Sequence, residues 1–124
     1  MVEYLEKEDR KILKVRDAHV VQIQASPHFL LRLSNGVTLE STAPVLQTIG
    51  SINSPNASPR PVTALPAAEL QALVSARPLS WVIFNTGDQR IVFSNKWHLD
   101  LTPGPNDTWQ LKANDNDILT YPPN

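Results

Sequence analysis

Cysteine is missing from this 124-residue chain, and glycine (four residues) and aromatic side chains (6 %) are scarce. Without thiols there is no disulfide, no thiolate zinc site and no cysteine nucleophile, and the composition suits a reducing compartment. Also lacking is an apolar run long enough to span a bilayer. Neither sign of charge predominates: eleven lysines and arginines against twelve aspartates and glutamates leave a net charge of −1. That balance gives no electrostatic reason to expect nucleic acid, whose recognition calls for a concentrated basic face. The N-terminal "MVEYLEKEDRK" is charged with no apolar centre, so it does not read as a secretory signal, and the sequons at Asn56 and Asn106 read as chance. The expectation is a cytoplasmic protein, away from membranes, forming a single domain over residues 1–124.

What the chain does contain is a near-repetition. "LLRLSNGVTLES" at residues 30–41 returns as "RIVFSNKWHLDL" at residues 90–101. At a constant offset of 60, Val21 falls on Trp81, Ile23 on Ile83, Leu31 on Ile91, Leu33 on Phe93, Val37 on Trp97 and Leu39 on Leu99, with no gap from residue 19 to 42. Alternating strands resemble one another by chance, but here the turns align too.

Strand parity sets the register. A three-residue loop Ser34-Asn35-Gly36 brings Leu33 opposite Val37 and Leu31 opposite Leu39, keeping the apolar residues on one face. Such a loop is a turn closed by a left-handed residue, the position of Gly36. The same rule pairs Phe93 with Trp97 and Ile91 with Leu99, with Lys96 at the strained closing position. Asn85-Thr86-Gly87 likewise pairs Trp81 with Ile91, whereas Pro27 forces a different turn in the first copy. In "WQLKANDNDILTY", a loop at 114–116 pairs Leu111 with Leu119 and Trp109 with Tyr121, with Asn116 expected in the left-handed position.

"PAAELQALVSA", residues 66–76, reads as a helix with a first-turn proline and an apolar stripe of Leu70, Leu73 and Val74. "LEKEDRKILKV", residues 5–15, reads as a weaker one. The expected fold is α+β and mostly antiparallel β. Two pseudo-repeated units of helix plus three-stranded meander (about 5–42 and 66–102, or 65–102 by repeat boundary) are closed by a C-terminal hairpin at 108–121. The whole is a curved sheet or barrel-like, and the proline-rich segment 50–66 is an exposed connector. In the second unit Val82, Phe84 and Val92 imply two buried faces, one under the 66–76 helix. In the first, Gln22, Gln24, Arg32, Thr38 and Glu40 make a polar face for solvent or a partner.

No chemistry-bearing motif competes strongly. His19, His28 and His98 have no partner at ligand spacing; His19 shares parity with the core row, His98 lies on the opposite face and His28 in a loop. There is no G-x-S-x-G for a serine nucleophile. Glu40 and Asp100 occupy equivalent positions, as paired glycosidase carboxylates would, but Asp100 faces Arg90 across its hairpin and reads as an ion pair. "NDND" at 114–117 lacks the glycine and terminal glutamate of a calcium loop. Trp81, Trp97, Trp109 and Phe93 fit a core better than a ligand pocket. No catalytic residue, metal ligand or cofactor is expected.

The run from "LPAAELQALV" to the end, with Leu99-Asp100-Leu101, Trp109, Leu111, Ile118 and Pro122-Pro123, resembles the C-terminal half of a family of small bacterial proteins of unknown function. Lys96 stands where that family usually has glycine, and the chain ends in Pro123-Asn124 rather than in glycines. Some bacterial proteins of this size are immunity proteins encoded beside toxins. The resemblance therefore implies a non-enzymatic binding module whose partner is a cognate toxin; the alternative is a small-molecule-binding or regulatory domain. Candidate partner-binding residues are Asp107, Asp115 and Asp117, from an acidic last third suited to a basic cleft, and Arg32 and Glu40 on the polar strand face.

Overall fold

The computed structural model describes residues 4–114 and 116–123. The chain is mostly antiparallel β-structure: β1 (Tyr4–Glu6), β2 (Arg10–Leu13), β3 (Val20–Gln24), β4 (Phe29–Leu33), β5 (Val37–Ser41), β6 (Val45–Ile49), β7 (Arg60–Pro61), α1 (Ala67–Leu70), β8 (Pro78–Phe84), β9 (Gln89–Phe93), β10 (Trp97–Leu101), β11 (Trp109–Ala113) and β12 (Asn116–Tyr121). The strands divide between two sheets, where one curved or barrel-like sheet was expected. A seven-stranded sheet runs β1-β2-β8-β9-β10-β6-β7 and a five-stranded sheet runs β12-β11-β5-β4-β3.

Each three-stranded meander stays within one sheet, β3-β4-β5 in the smaller and β8-β9-β10 in the larger. The next strand of each then crosses over. β6 leaves the first meander to pair with β10, Trp97 opposite Ile49 and Leu101 opposite Val45. β11 leaves the second to pair with β5, Val37 opposite Ala113 and Ser41 opposite Trp109. Each sheet thus contains strands from the other half of the chain, β1, β2 and β6 in the larger and β11 and β12 in the smaller. The inward rows of both sheets form one continuous core that includes Leu31, Leu39, Trp81, Phe93, Trp97, Leu99, Trp109 and Leu111. Two of the three core indole N–H groups find protein acceptors: Trp81 Nε1 donates to Gln89 Oε1 at 2.8 Å and Trp109 Nε1 to the Gly87 carbonyl at 2.8 Å.

The hairpin registers follow from parity and turn chemistry. Leu31 faces Leu39, Ile91 faces Leu99, Trp81 faces Ile91, and Trp109 and Leu111 face Tyr121 and Leu119. Gly36, Gly87 and Lys96 all take positive φ, at 91°, 94° and 75°. In the two Ser-Asn turns, Asn35 Oδ1 accepts from Val37 N at 3.2 Å and Asn95 Oδ1 from Trp97 N at 3.1 Å.

Six expectations are corrected. Residues 5–13 form the hairpin β1–β2, not a helix, with Leu5 opposite Ile12; an i, i+7 apolar spacing fits a hairpin with a turn midway as well as a helix face. The second helix is only α1 followed by a 3₁₀ turn at Gln71–Leu73. It packs beside β3, where Ser75 N donates to the Val20 carbonyl and Val20 N to the Ala76 carbonyl, both at 2.8 Å. The outer residues Val82, Phe84 and Val92 of the larger sheet stay half-buried instead of lying under that helix. The offset of 60 fails in the first strand: Ile23 faces Leu31 while Trp81 faces Ile91, so Ile23 corresponds to Trp81 (81 − 23 = 58). The β8–β9 hairpin is two residues longer, and an even shift leaves the faces unchanged. A bulge leaves Val21 unpaired, so Val20 is buried while Val21 and His19 face solvent. Finally, Asn114, not Asn116, takes positive φ (53°), and a register shift between Leu111 and Lys112 restores the apolar pairing beyond it.

Candidate functional site

The outer face of the five-stranded sheet is built from the alternate residues that the core does not take. Two cross-strand rows cover it. One runs Gln24, Leu30, Glu40, Gln110 and Thr120; the next runs Gln22, Arg32, Thr38, Lys112 and Asp117. The structure thus gathers three of the sequence-selected residues, Arg32, Glu40 and Asp117, on one surface. Arg32 is exposed and its Nε donates to Thr38 Oγ1 at 3.4 Å. Asp117 is exposed on the edge strand β12.

Asp107 lies apart from the rows, in the loop between β10 and β11. Its Oδ1 accepts from Thr42 Oγ1 at 3.2 Å and its Oδ2 from Gly104 N at 2.8 Å. This carboxylate holds the loop as well as carrying charge. Asp115 lies outside the described residues.

At the Asp107 end of the face the rows open into a cleft of about 320 Å³. Leu30, Phe29 and Trp109 contribute its apolar wall, and Gln24, Glu40, Thr42, Thr108 and Gln110 its polar groups, with His28 at the rim. Glu40 is half-buried and, among the described residues, its carboxylate makes no hydrogen bond or ion pair. Sequence reading named Glu40 but missed this cleft. Thr108, Trp109 and Gln110 reach it only because β11 crosses to β5, and no local pattern announces a strand's choice of sheet.

The outer face of the seven-stranded sheet is different. Asp100 is tied to Arg90, Oδ1 accepting from Nε at 2.8 Å, as the register predicts. Beside them His98 stands opposite Thr48. His98 Nδ1, Thr48 Oγ1 and Asp100 Oδ2 are buried and have no hydrogen-bond partner among the described residues. Burial holds the His98 imidazole below its usual pKa, against the pull of the Asp100 carboxylate and with the help of Arg90. No group of three or more histidine, aspartate or glutamate side chains suited to a metal ion occurs among the described residues. No helix there is long and apolar enough to cross a membrane. Comparison of the chain with protein families, characterised proteins and solved structures finds no match.

Proposed function

We propose that this chain is a non-enzymatic protein-binding module of the cytoplasm that works through the outer face of the five-stranded sheet. Most concretely, it is an immunity protein that neutralises a cognate toxin by occlusion. The observation that supports this reading is the convergence of Arg32, Glu40 and Asp117 on one polar, cleft-bearing surface. Opposed charges on a rigid sheet set register and steer encounter, while the cleft offers a place to anchor a partner side chain.

The test is co-expression with the product of the adjacent gene. Arg32→Glu together with Glu40→Lys should abolish co-purification without changing the melting temperature. Asp117→Asn should slow association at low salt and leave it unchanged at high salt. Capture that survives the double reversal would move the interface off this face. The cleft itself favours a second reading, a site for a small ligand, and there a neutral metabolite screen would raise the melting temperature by mass action.

We further infer that the two meanders alone, β3–β5 (residues 20–41) and β8–β10 (residues 78–101), descend from one duplicated unit, without the segments that precede them. Support comes from their shared turns and from matching bulges: Val20/Gln22 against Leu33/Arg32, and Pro78/Ser80 against Phe93/Val92. Homologous chains should show closer halves than this one does; relatives with one meander replaced by another structure would remove the idea.

A further inference from the structure

We propose that the cleft on the five-stranded sheet receives an arginine side chain of the partner protein, with Glu40 as its counter-ion. The inference rests on the protein-binding reading above and names the group that the face takes up.

The two sheets present a carboxylate at the corresponding position, and they answer it differently. On the seven-stranded sheet Asp100 of β10 faces Arg90 of β9 on one side and Leu46 of β6 on the other, and Arg90 neutralises it at 2.8 Å. On the five-stranded sheet Glu40 of β5 faces Leu30 of β4 and Gln110 of β11. Leucine occupies the place of the arginine, and the carboxylate borders an open cleft. A carboxylate that lines a cleft without a protein donor is free to take a charged donor from outside, and such charge-assisted hydrogen bonds are the strong ones.

The rest of the lining suits a guanidinium. Gln24 Nε2 is directed at the His28 carbonyl at 3.4 Å, which leaves the Gln24 side-chain carbonyl as an acceptor. The Thr42 hydroxyl is engaged with Asp107 and the Thr108 carbonyl, so that Asp107 adds negative potential at the mouth. Leu30 and Trp109 supply apolar surface for a three-carbon stem. The fixed fork of arginine can bind the carboxylate with two N–H groups and reach a flanking carbonyl with a third. Arg32 and Lys112 lie on the adjacent row, and neither makes an ion pair with Glu40 among the described residues. They repel a cation from that side, so entry runs from the Asp107 end. A protein-borne arginine fits better than a free amine because the surrounding face carries further exposed groups of both signs, Arg32 and Asp117, that only a larger partner covers.

The probe is Nα-acetylarginine amide, titrated into the isotopically labelled full chain and followed by amide chemical shifts. Saturable shifts confined to residues 24–30, 40–42 and 108–110, absent with the neutral isostere Nα-acetylcitrulline amide, are expected. Glu40→Gln should weaken the probe by about tenfold or more. Leu30→Arg, which installs the cation seen on the other sheet, should abolish binding with the fold retained; should that variant unfold, the near-isosteric Glu40→Gln decides. Absence of shifts, equal response to citrulline, or an unchanged Glu40→Gln affinity overturns the proposal. Agmatine or putrescine binding about tenfold tighter than the capped arginine overturns the protein-borne source in favour of a small amine. Because the probe acts without any partner, its failure leaves the protein-binding reading standing, and a failed partner capture leaves the probe result unaffected.

Discussion

At the scale of single residues, backbone handedness and burial decide most of what can be tested. Lys96 closes its turn at φ 75° where its counterpart Gly36 sits at 91°. A side chain there is strained by about 1 kcal/mol, and replacing it relieves that strain while loosening the unfolded chain. Lys96→Gly should therefore stabilise the protein by roughly 0.5 kcal/mol in a denaturant melt; a loss of stability would remove the assigned turn. Gly87 is held twice over. Its φ is 94°, and a Cβ would fall 2.5 Å from the Tyr121 ring. That ring stacks on buried Trp109 at 6.0 Å, so a retreat from the new methyl would disturb the stack. Gly87→Ala should cost about 2 kcal/mol or more, read in the same melt. His98 supplies the pH dependence. Its folded pKa is depressed from 6.5, so the unfolded chain binds the proton first. The stability contribution is complete above 6.5 and is lost as pH falls from there through the lower folded value. Melting temperatures between pH 7.5 and 5.5 should fall less steeply for His98→Gln than for the unsubstituted protein.

At the scale of elements, the strands that matter most are those flanked on both sides. β10 lies between β9 and β6, and its inward Trp97, Leu99 and Leu101 are all buried. Trp97→Ala removes a large aromatic from this central strand and should destabilise by about 3–5 kcal/mol. A change below about 1 kcal/mol would mean that the ring contributes little packing. Edge elements behave otherwise. β1 is three residues long with Leu5 49 % exposed, so truncating Leu5 should be nearly silent in the same assay. The short α1 and its 3₁₀ turn lie beside β3 and bury Leu70 and Leu73 there. That position covers part of an open sheet edge, which otherwise invites pairing with another chain.

At the scale of the whole molecule, the crossing of β6 and β11 binds the halves together. Each sheet contains strands from both halves, so neither half can complete its sheet alone. The connector between β6 and β7 is exposed from Asn53 to Asn56, and a cut there severs no strand pairing. A protease site placed in this loop should yield two fragments that co-elute under native conditions and separate only in denaturant. Separation in native buffer would show that crossed strands and shared core hold less than the covalent link. The same crossing creates the cleft, since β5 supplies Glu40 and β11 supplies Gln110.

The local features were legible in the sequence because they are set over a few residues. Alternation determines which face a side chain takes, and Asn35-Gly36 or Thr86-Gly87 determines how the chain reverses, so Leu31–Leu39, Trp81–Ile91 and Arg90–Asp100 could all be paired in advance. Arg32 and Glu40 could be placed on a polar face for the same reason. Where the local signal was degenerate it misled: the spacing of Leu5 and Ile12 suits helix and hairpin alike, and one bulged residue exchanged the environments of Val20 and Val21. Only the tertiary structure decided that there are two sheets, that β6 and β11 change places between them, and that Glu40 meets a glutamine and a leucine while Asp100 meets an arginine. Period-two alternation is satisfied by any antiparallel neighbour. Which neighbour a strand takes is settled by the joint burial of both inward faces, a sum over contacts dozens of residues apart along the chain.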